Sequence, residues 1–397
     1  MSTLNTPLRN PRDFSLVLGG PLFQLYRLLH LAGQALEFTT RRTLVVALVA
    51  WIPLLVISLI EGTAWTGVGQ PFLLDVDVNA RLLIALPLLV GGELFVHRRM
   101  RLTVGAFLNR GIVTGAAQAK FEAAENSALR ARDSRVAEIL LLVFVYVIGV
   151  AVIWNQLVEL DADTWYHRAS GKTIHMTIAG WWYQWISLPL FQFILFRWYY
   201  RLGIWAFFLW RVSRCGLKLV PTHPDRSAGL GFLGAFSYAL VPFLMAHGTL
   251  FAGVIGVGIF FGGRTLVSYW PTLAAFSAFV VVISLGPLLA FAEPLARTKR
   301  LGLAEYGSLA QEYVADFDGK WIRAGSARDA KLLGSSDIQS LADMANSYQV
   351  IPNIRLIPIS PQVALRLIII TLSPMAPLLL TVIPARELVS MLLKGLF

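Results

Sequence analysis

Of 397 residues only one is cysteine, Cys215, and only 14% are charged. A lone cysteine excludes an intrachain disulfide and any cysteine-based metal cluster. So little charge excludes an ordinary soluble surface, since about 25% of residues are charged in soluble domains. Lysine is scarcer still, at seven against 27 arginines. None of the seven lies inside a long apolar run, which excludes a retinal Schiff base. The chain also lacks a His-Glu-x-x-His zinc pattern, a pair of well-buried histidines for haem, and the basic start and small-residue cleavage site of an export signal. No cofactor and no metal site is therefore expected.

What the chain has is apolar length. Hydrophobic residues make up 56%, and the mean hydropathy is +0.64. From Ser227 to Gly263 there is no Asp, Glu, Lys or Arg in 37 residues, whereas a helix needs only ~20 apolar residues to cross a bilayer. The formal charge of +11 does not point to nucleic acid. Its basic residues are dealt out between apolar runs, which is the pattern of topology signals rather than of one solvated basic face.

The pattern predicts an all-α, polytopic integral membrane protein of about seven spans: Thr43–Ile60, Leu82–Val96, Ile139–Val158, Thr177–Phe196, about Phe232–Gly262, Thr272–Ala292 and Leu367–Ala385. With the N-terminus inside, the inner segments hold 28 of the 34 Lys and Arg, so the topology is expected to be N-in and C-out. Residues 1–42 form a cytoplasmic N-terminal segment, in which 21–38 read as an amphipathic helix for the membrane interface or the protein's own inner face. Residues 43–301 hold six spans and a polar helical loop at 98–137. Residues 302–361 form a small cytoplasmic helical subdomain, and 362–397 the last span and a tail. From Trp181 to Cys215 one helix would be ~52 Å long, and Gly203 is the expected break. The Arg and Lys usage and the topology suggest a bacterial inner membrane, with lipids and further copies of the chain as partners.

Proline falls inside six of the seven expected spans, at Pro53, Pro87, Pro189, Pro242, Pro287, Pro374 and Pro377, with Gly149 in the third. Such breaks line cavities or act as hinges in transport proteins, although proline is common in membrane helices anyway. The fifth span carries Gly248, Gly253, Gly256, Gly258 and Gly262, spaced for close helix packing. His247 is its only ionisable group.

The second and sixth spans share P-L-L-x-x-x-E, ending in Glu93 and Glu293. Both glutamates are expected near the cytoplasmic ends of spans, either relaying a cation or paired with Arg98, Arg101 or Arg297. The outer loops carry Glu61, Asp75, Asp77, Glu159, Asp161 and Asp163, an acidic rim suited to concentrating cations, or what remains once Lys and Arg are kept out. The ion-pathway candidates are thus Glu93, Glu293, His247, Asp75, Asp77, Asp161 and Asp163. The hinge P-T-H-P-D-R-S before the fifth span contributes His223, Asp225, Arg226, Gly229 and Gly231. These residues are candidates for holding a lipid headgroup or another anion at a helix start; equally, Asp225 can cap that helix.

The expected function is a homo-oligomeric channel or transporter for small ions, cations first, gated from the cytoplasmic side. Two other readings stand beside it. One is an enzyme for lipid or lipid-linked donors, because Asp75-x-Asp77 resembles by position the paired acids of membrane glycosyltransferases. The other is a scaffold in an envelope complex.

Overall fold

The structure is a computed structural model that describes residues 14–31, 38–147, 149, 164–170, 173–323 and 336–382. Five helices among them are long and apolar enough to cross a membrane. The chain folds as a helical membrane protein, with one two-stranded hairpin, β1 (His167–Ser170) and β2 (Thr173–Met176), paired antiparallel.

In chain order, α1 is Pro21–Leu28 and α2 is Thr39–Ile60. Helix α3 runs Val76–Asn109, α4 Ala116–Arg132 and α5 Arg135–Phe144. After the hairpin, the turns Ile178–Trp182 and Tyr183–Ser187 lead into α6, Leu188–Ser213. Helix α7 spans Phe232–Phe260, α8 Leu266–Arg323, α9 Ser336–Val350 and α10 Pro361–Thr381. The five apolar spans are α2, α3, α7, α8 and α10. Most of the expected third span lies outside the described residues. The expected fourth is the start of the α6 region, whose indoles and glutamines leave it less apolar than those five.

The prolines explain how these helices are shaped. A proline cannot donate to the carbonyl four residues back, and its ring presses on that carbonyl. The chain answers by changing the pitch of the preceding turn. Looser π turns precede Pro87 (Ala80–Ala85) and Pro189 (Tyr183–Ser187). Tighter 3₁₀ turns precede Pro242 (Ser237–Leu240) and enclose Pro287, Pro374 and Pro377. Of the prolines expected inside spans, Pro53 alone sits within a regular α-helix. Gly203, where a break was expected, lies within an uninterrupted α6. No proline or side-chain insertion acts there, and a glycine alone does not stop a helix packed along its length. At 26 residues, α6 is about 39 Å long, so its last turns outrun the apolar layer. There Arg211 and Arg214 lie over the rings of Phe207 and Trp210, apolar stem inward and charge outward.

Helix α7 is the packing centre, flanked by α3 and α10. Its glycines set the spacing. A Cβ on Gly248 would strike the Thr371 carbonyl of α10, and one on Gly253 would come within 2.9 Å of the Asp77 backbone. Helix α4, read from sequence as a polar loop helix, buries Phe121, Ala124 and Ala128 against α6. Helix α8 continues without interruption past residue 301, where a separate subdomain was expected to begin. Helix α9 folds back on it, with Trp321 Nε1 donating to Asp337 Oδ2 at 2.9 Å. Along α9, Gln339 Nε2 donates to Asp343 Oδ1 at 2.9 Å.

Candidate functional site: a buried charge network at the basic end

Two ends of the bundle can be told apart by their side chains. One carries Arg42, Arg98, Arg99, Arg101, Arg197 and Arg201; the other carries Glu61, Asp75, Asp77 and the hairpin. The basic end encloses the densest buried charge among the described residues. Glu93, on α3, accepts from Arg201 Nη1 at 2.6 Å and Arg42 Nη2 at 2.7 Å, with Arg197 Nη1 at 3.5 Å. Arg197 Nε also reaches Glu138 Oε1 of α5 at 3.1 Å. All five side chains are less than a tenth exposed. Three guanidiniums thus face two carboxylates, and Arg42 Nε and Arg201 Nη2 have no hydrogen-bond partner.

This network grips the stretch 14–22, within the N-terminal segment. Phe14, Ser15, Leu16 and Val17 are each 1% exposed. Arg132 Nη1 donates to the Ser15 carbonyl at 2.6 Å, and Arg197 Nη2 to that of Gly19 at 3.3 Å. The Gly20 amide donates to Asp133 at 3.0 Å and the Leu22 amide to Glu138 at 2.8 Å. Ser15 Oγ accepts from the Val17 and Leu18 amides and lies 2.8 Å from His97 Nδ1. Gly19 and Gly20 have positive φ, and a Cβ on Gly19 would meet the Arg132 guanidinium at 2.5 Å. Only glycine lets the backbone pass there. Tyr26, on α1, sits under Arg42 at 5.0 Å. Its burial, and the nearby Glu93, push its hydroxyl up to about 12, so it stays protonated.

The other candidates fall apart from this cluster. Glu93 has neither Arg98, Arg101 nor Arg297 as its partner, because its partners come from helices distant in sequence. The signal was present nonetheless: Arg197 and Arg201 stand four apart on one face of an apolar helix. Glu293 is exposed and lines a groove of about 510 Å³ with Arg214, Lys218 and Arg297. His247 is buried with both ring nitrogens engaged, Nδ1 at 2.8 Å from the Phe243 carbonyl and Nε2 at 2.5 Å from the Tyr199 hydroxyl. A neutral ring with Nδ1–H donating and Nε2 accepting fits both contacts.

At the acidic end, Asp75 is buried, caps Val78 and accepts from Trp165 Nε1 at 2.9 Å. Burial pushes its carboxyl above the ordinary carboxylate range despite those two donors. Asp77 pairs with Arg81 at 2.6 Å, and Arg81 donates to Tyr183 at 2.5 Å. Glu61 accepts from the Ile178 and Ala179 amides. Asp161 and Asp163 lie outside the described residues, as does Glu159.

At the hinge, the amides expected to be open to an anion are already occupied. Asp225 accepts from Ser227 at 2.8 Å, Gly229 at 3.1 Å and Gly231 at 2.8 Å. Partial burial pushes its carboxyl up, but the three amides and His223, at 2.9 Å, outweigh this and hold it below the usual range. Arg226 is exposed, in a left-handed conformation at φ 53°, and its carbonyl accepts from the Arg355 amide. No family model, curated protein or solved structure matches the chain.

Proposed function

We propose that the protein is a homo-oligomeric channel or transporter for small ions in the bacterial inner membrane, closed at its cytoplasmic mouth by its own N-terminal segment. The observation that carries this reading is the seating of residues 14–22 inside the buried charge network. Ionised groups at membrane depth are costly, and an apolar contact of the same shape holds a fixed element at least as well. Holding a segment by its carbonyls and amides suits a contact that is made and broken. The network lies where the apolar run of α2 begins, level with an inner mouth.

Cations were the ion expected from sequence. Geometry favours anions instead, since three guanidiniums face two carboxylates and two donor nitrogens are free. On the other side, Glu61, Asp75 and Asp77 are engaged in caps and an ion pair. The reading as an enzyme for lipid-linked donors loses support for the same reason, because Asp75 lies beneath Trp165. The seven-span, N-in and C-out topology belongs to this proposal. Alkaline phosphatase fused after Phe397 is expected to be active, and fused near Lys120 silent.

The functional test is ion flux in liposomes, comparing the full chain with one lacking residues 1–20. Withdrawal of the segment is expected to raise chloride flux well above potassium flux. If neither form moves either ion at any voltage or pH, the transport reading is wrong.

A further inference from the structure

Beside the hinge, at the basic end, a bowl of about 440 Å³ opens between the starts of α7 and α10. Arg110, Arg355 and Arg366 line it, against a single acid, Asp225. That carboxylate is already occupied by three backbone amides. Among the described residues no carboxylate pairs with any of the three guanidiniums. Arg110 instead lies over the Phe232 ring at 5.0 Å, and the Arg355 contact with the hinge is made by its backbone amide.

Three like charges converging on one concave surface repel one another, and a bound anion relieves the repulsion. Two more features point the same way. Ser227 lines the bowl and is 1% exposed, and its hydroxyl has no hydrogen-bond partner. Helix α10 begins at Pro361 after Ser360, which lines the bowl and makes no side-chain cap, so the positive end of that helix lies at the rim. The positive end of a helix dipole favours negative charge. Phe232 and Val363 supply an apolar wall. Both α7 and α10 enter their apolar runs here, so the bowl sits at the depth where lipid phosphates lie. Guanidinium forks match phosphate oxygens two at a time.

We propose that this bowl binds a phosphate group, carried by an anionic lipid headgroup or by a soluble phosphorylated molecule. The site does not depend on the ion-transport reading. It also differs from the hinge site expected from sequence: Arg226, His223 and the glycine amides take no part, and Arg110, Arg355 and Arg366 do the binding.

The test follows thermal unfolding of the full chain in neutral detergent at matched ionic strength. The probes are phosphatidylglycerol, phosphatidylcholine, inorganic phosphate and glycerol 3-phosphate. A Tm that climbs with the logarithm of phosphatidylglycerol, but not of the soluble phosphates, assigns a lipid headgroup. A climb with the soluble phosphates assigns a soluble source. In either case the rise is lost in Arg355→Gln/Arg366→Gln and kept in Arg226→Gln, which changes an exposed residue outside the bowl. Should the double variant not fold, each single variant is expected to weaken apparent binding roughly tenfold. Equal rises in the parent and the bowl variants, or no rise with any probe, overturn the proposal.

Discussion

Glu93 Oε1 stands 2.6 Å from Arg201 Nη1, and neither side chain is more than 7% exposed. The glutamate is the shared acceptor of three arginines drawn from two other helices. Glu93→Gln leaves Arg42 and Arg201 without a carboxylate and Arg197 with Glu138 alone, and the expected cost is about 3–5 kcal/mol. Its counterpart in the repeated motif, Glu293, is exposed, and Glu293→Gln is expected to stay within about 0.5 kcal/mol. Thermal unfolding of the two variants side by side checks this, and equal losses would mean the network carries no special burden.

The Asp225 cap makes the hinge sensitive to acid. Its carboxyl is held below the ordinary value of 3.8 in the fold, so the ionised form stabilises the native state. That contribution is complete above the unfolded value and shrinks as pH falls through the lower folded one. Asp225→Ala is expected to cost about 1–3 kcal/mol near neutral pH. The gap between variant and parent should close in strong acid. A gap that stays constant from neutral pH down past pH 3 would remove the linkage.

His247 is expected to act as a structural group. Tyr199→Phe takes the donor from a buried acceptor nitrogen and should cost about 1–2 kcal/mol. The pH dependence of any ion flux should not move. A shifted pH profile in this variant would make the histidine part of a proton path.

Close packing of α7 on α10 can be read from one methyl group. Gly248→Ala drives a Cβ into the Thr371 carbonyl, and the helices must part; a loss of about 2–4 kcal/mol is expected, at the upper end of what overpacking costs. At Gly203 nothing lies within 4 Å of an added Cβ. There Gly→Ala should stabilise α6 by about 0.5–1 kcal/mol. Denaturation midpoints moving in opposite directions would establish both.

The apolar runs made most of the membrane helices legible, because a span is announced by composition alone. Thr43–Ile60 is found as Thr39–Ile60 and Phe232–Gly262 as Phe232–Phe260. Leu82–Val96 falls short of α3, whose first turns carry Asp77 and Arg81, paired with each other and joined to Tyr183 by contacts that composition does not reveal. The glycines of α7 were legible as contact points from their spacing. The seat of residues 14–22 was not, because its amides and carbonyls meet Asp133, Glu138, Arg132 and Arg197 across long sequence separations. Local spacing carries no trace of such pairings. The bowl at Arg110, Arg355 and Arg366 was missed for the same reason: its three arginines are scattered along the chain and become neighbours only once α7 and α10 start side by side.

The seating of that first stretch has a consequence for how the molecule is made. Synthesis runs from the N-terminus, and domains ordinarily fold in the order they emerge. Here Gly19 is bonded to Arg197, 178 residues later, and Gly20 to Asp133, 113 residues later. Residues 14–20 meet His97, Arg132 and Asp133 once α3 to α5 have been made, but the Gly19 carbonyl gains Arg197 only when α6 follows. Closing so long a loop is slow. Until then the carboxylate of Glu93 also lacks Arg197 and Arg201, two of its three guanidinium partners.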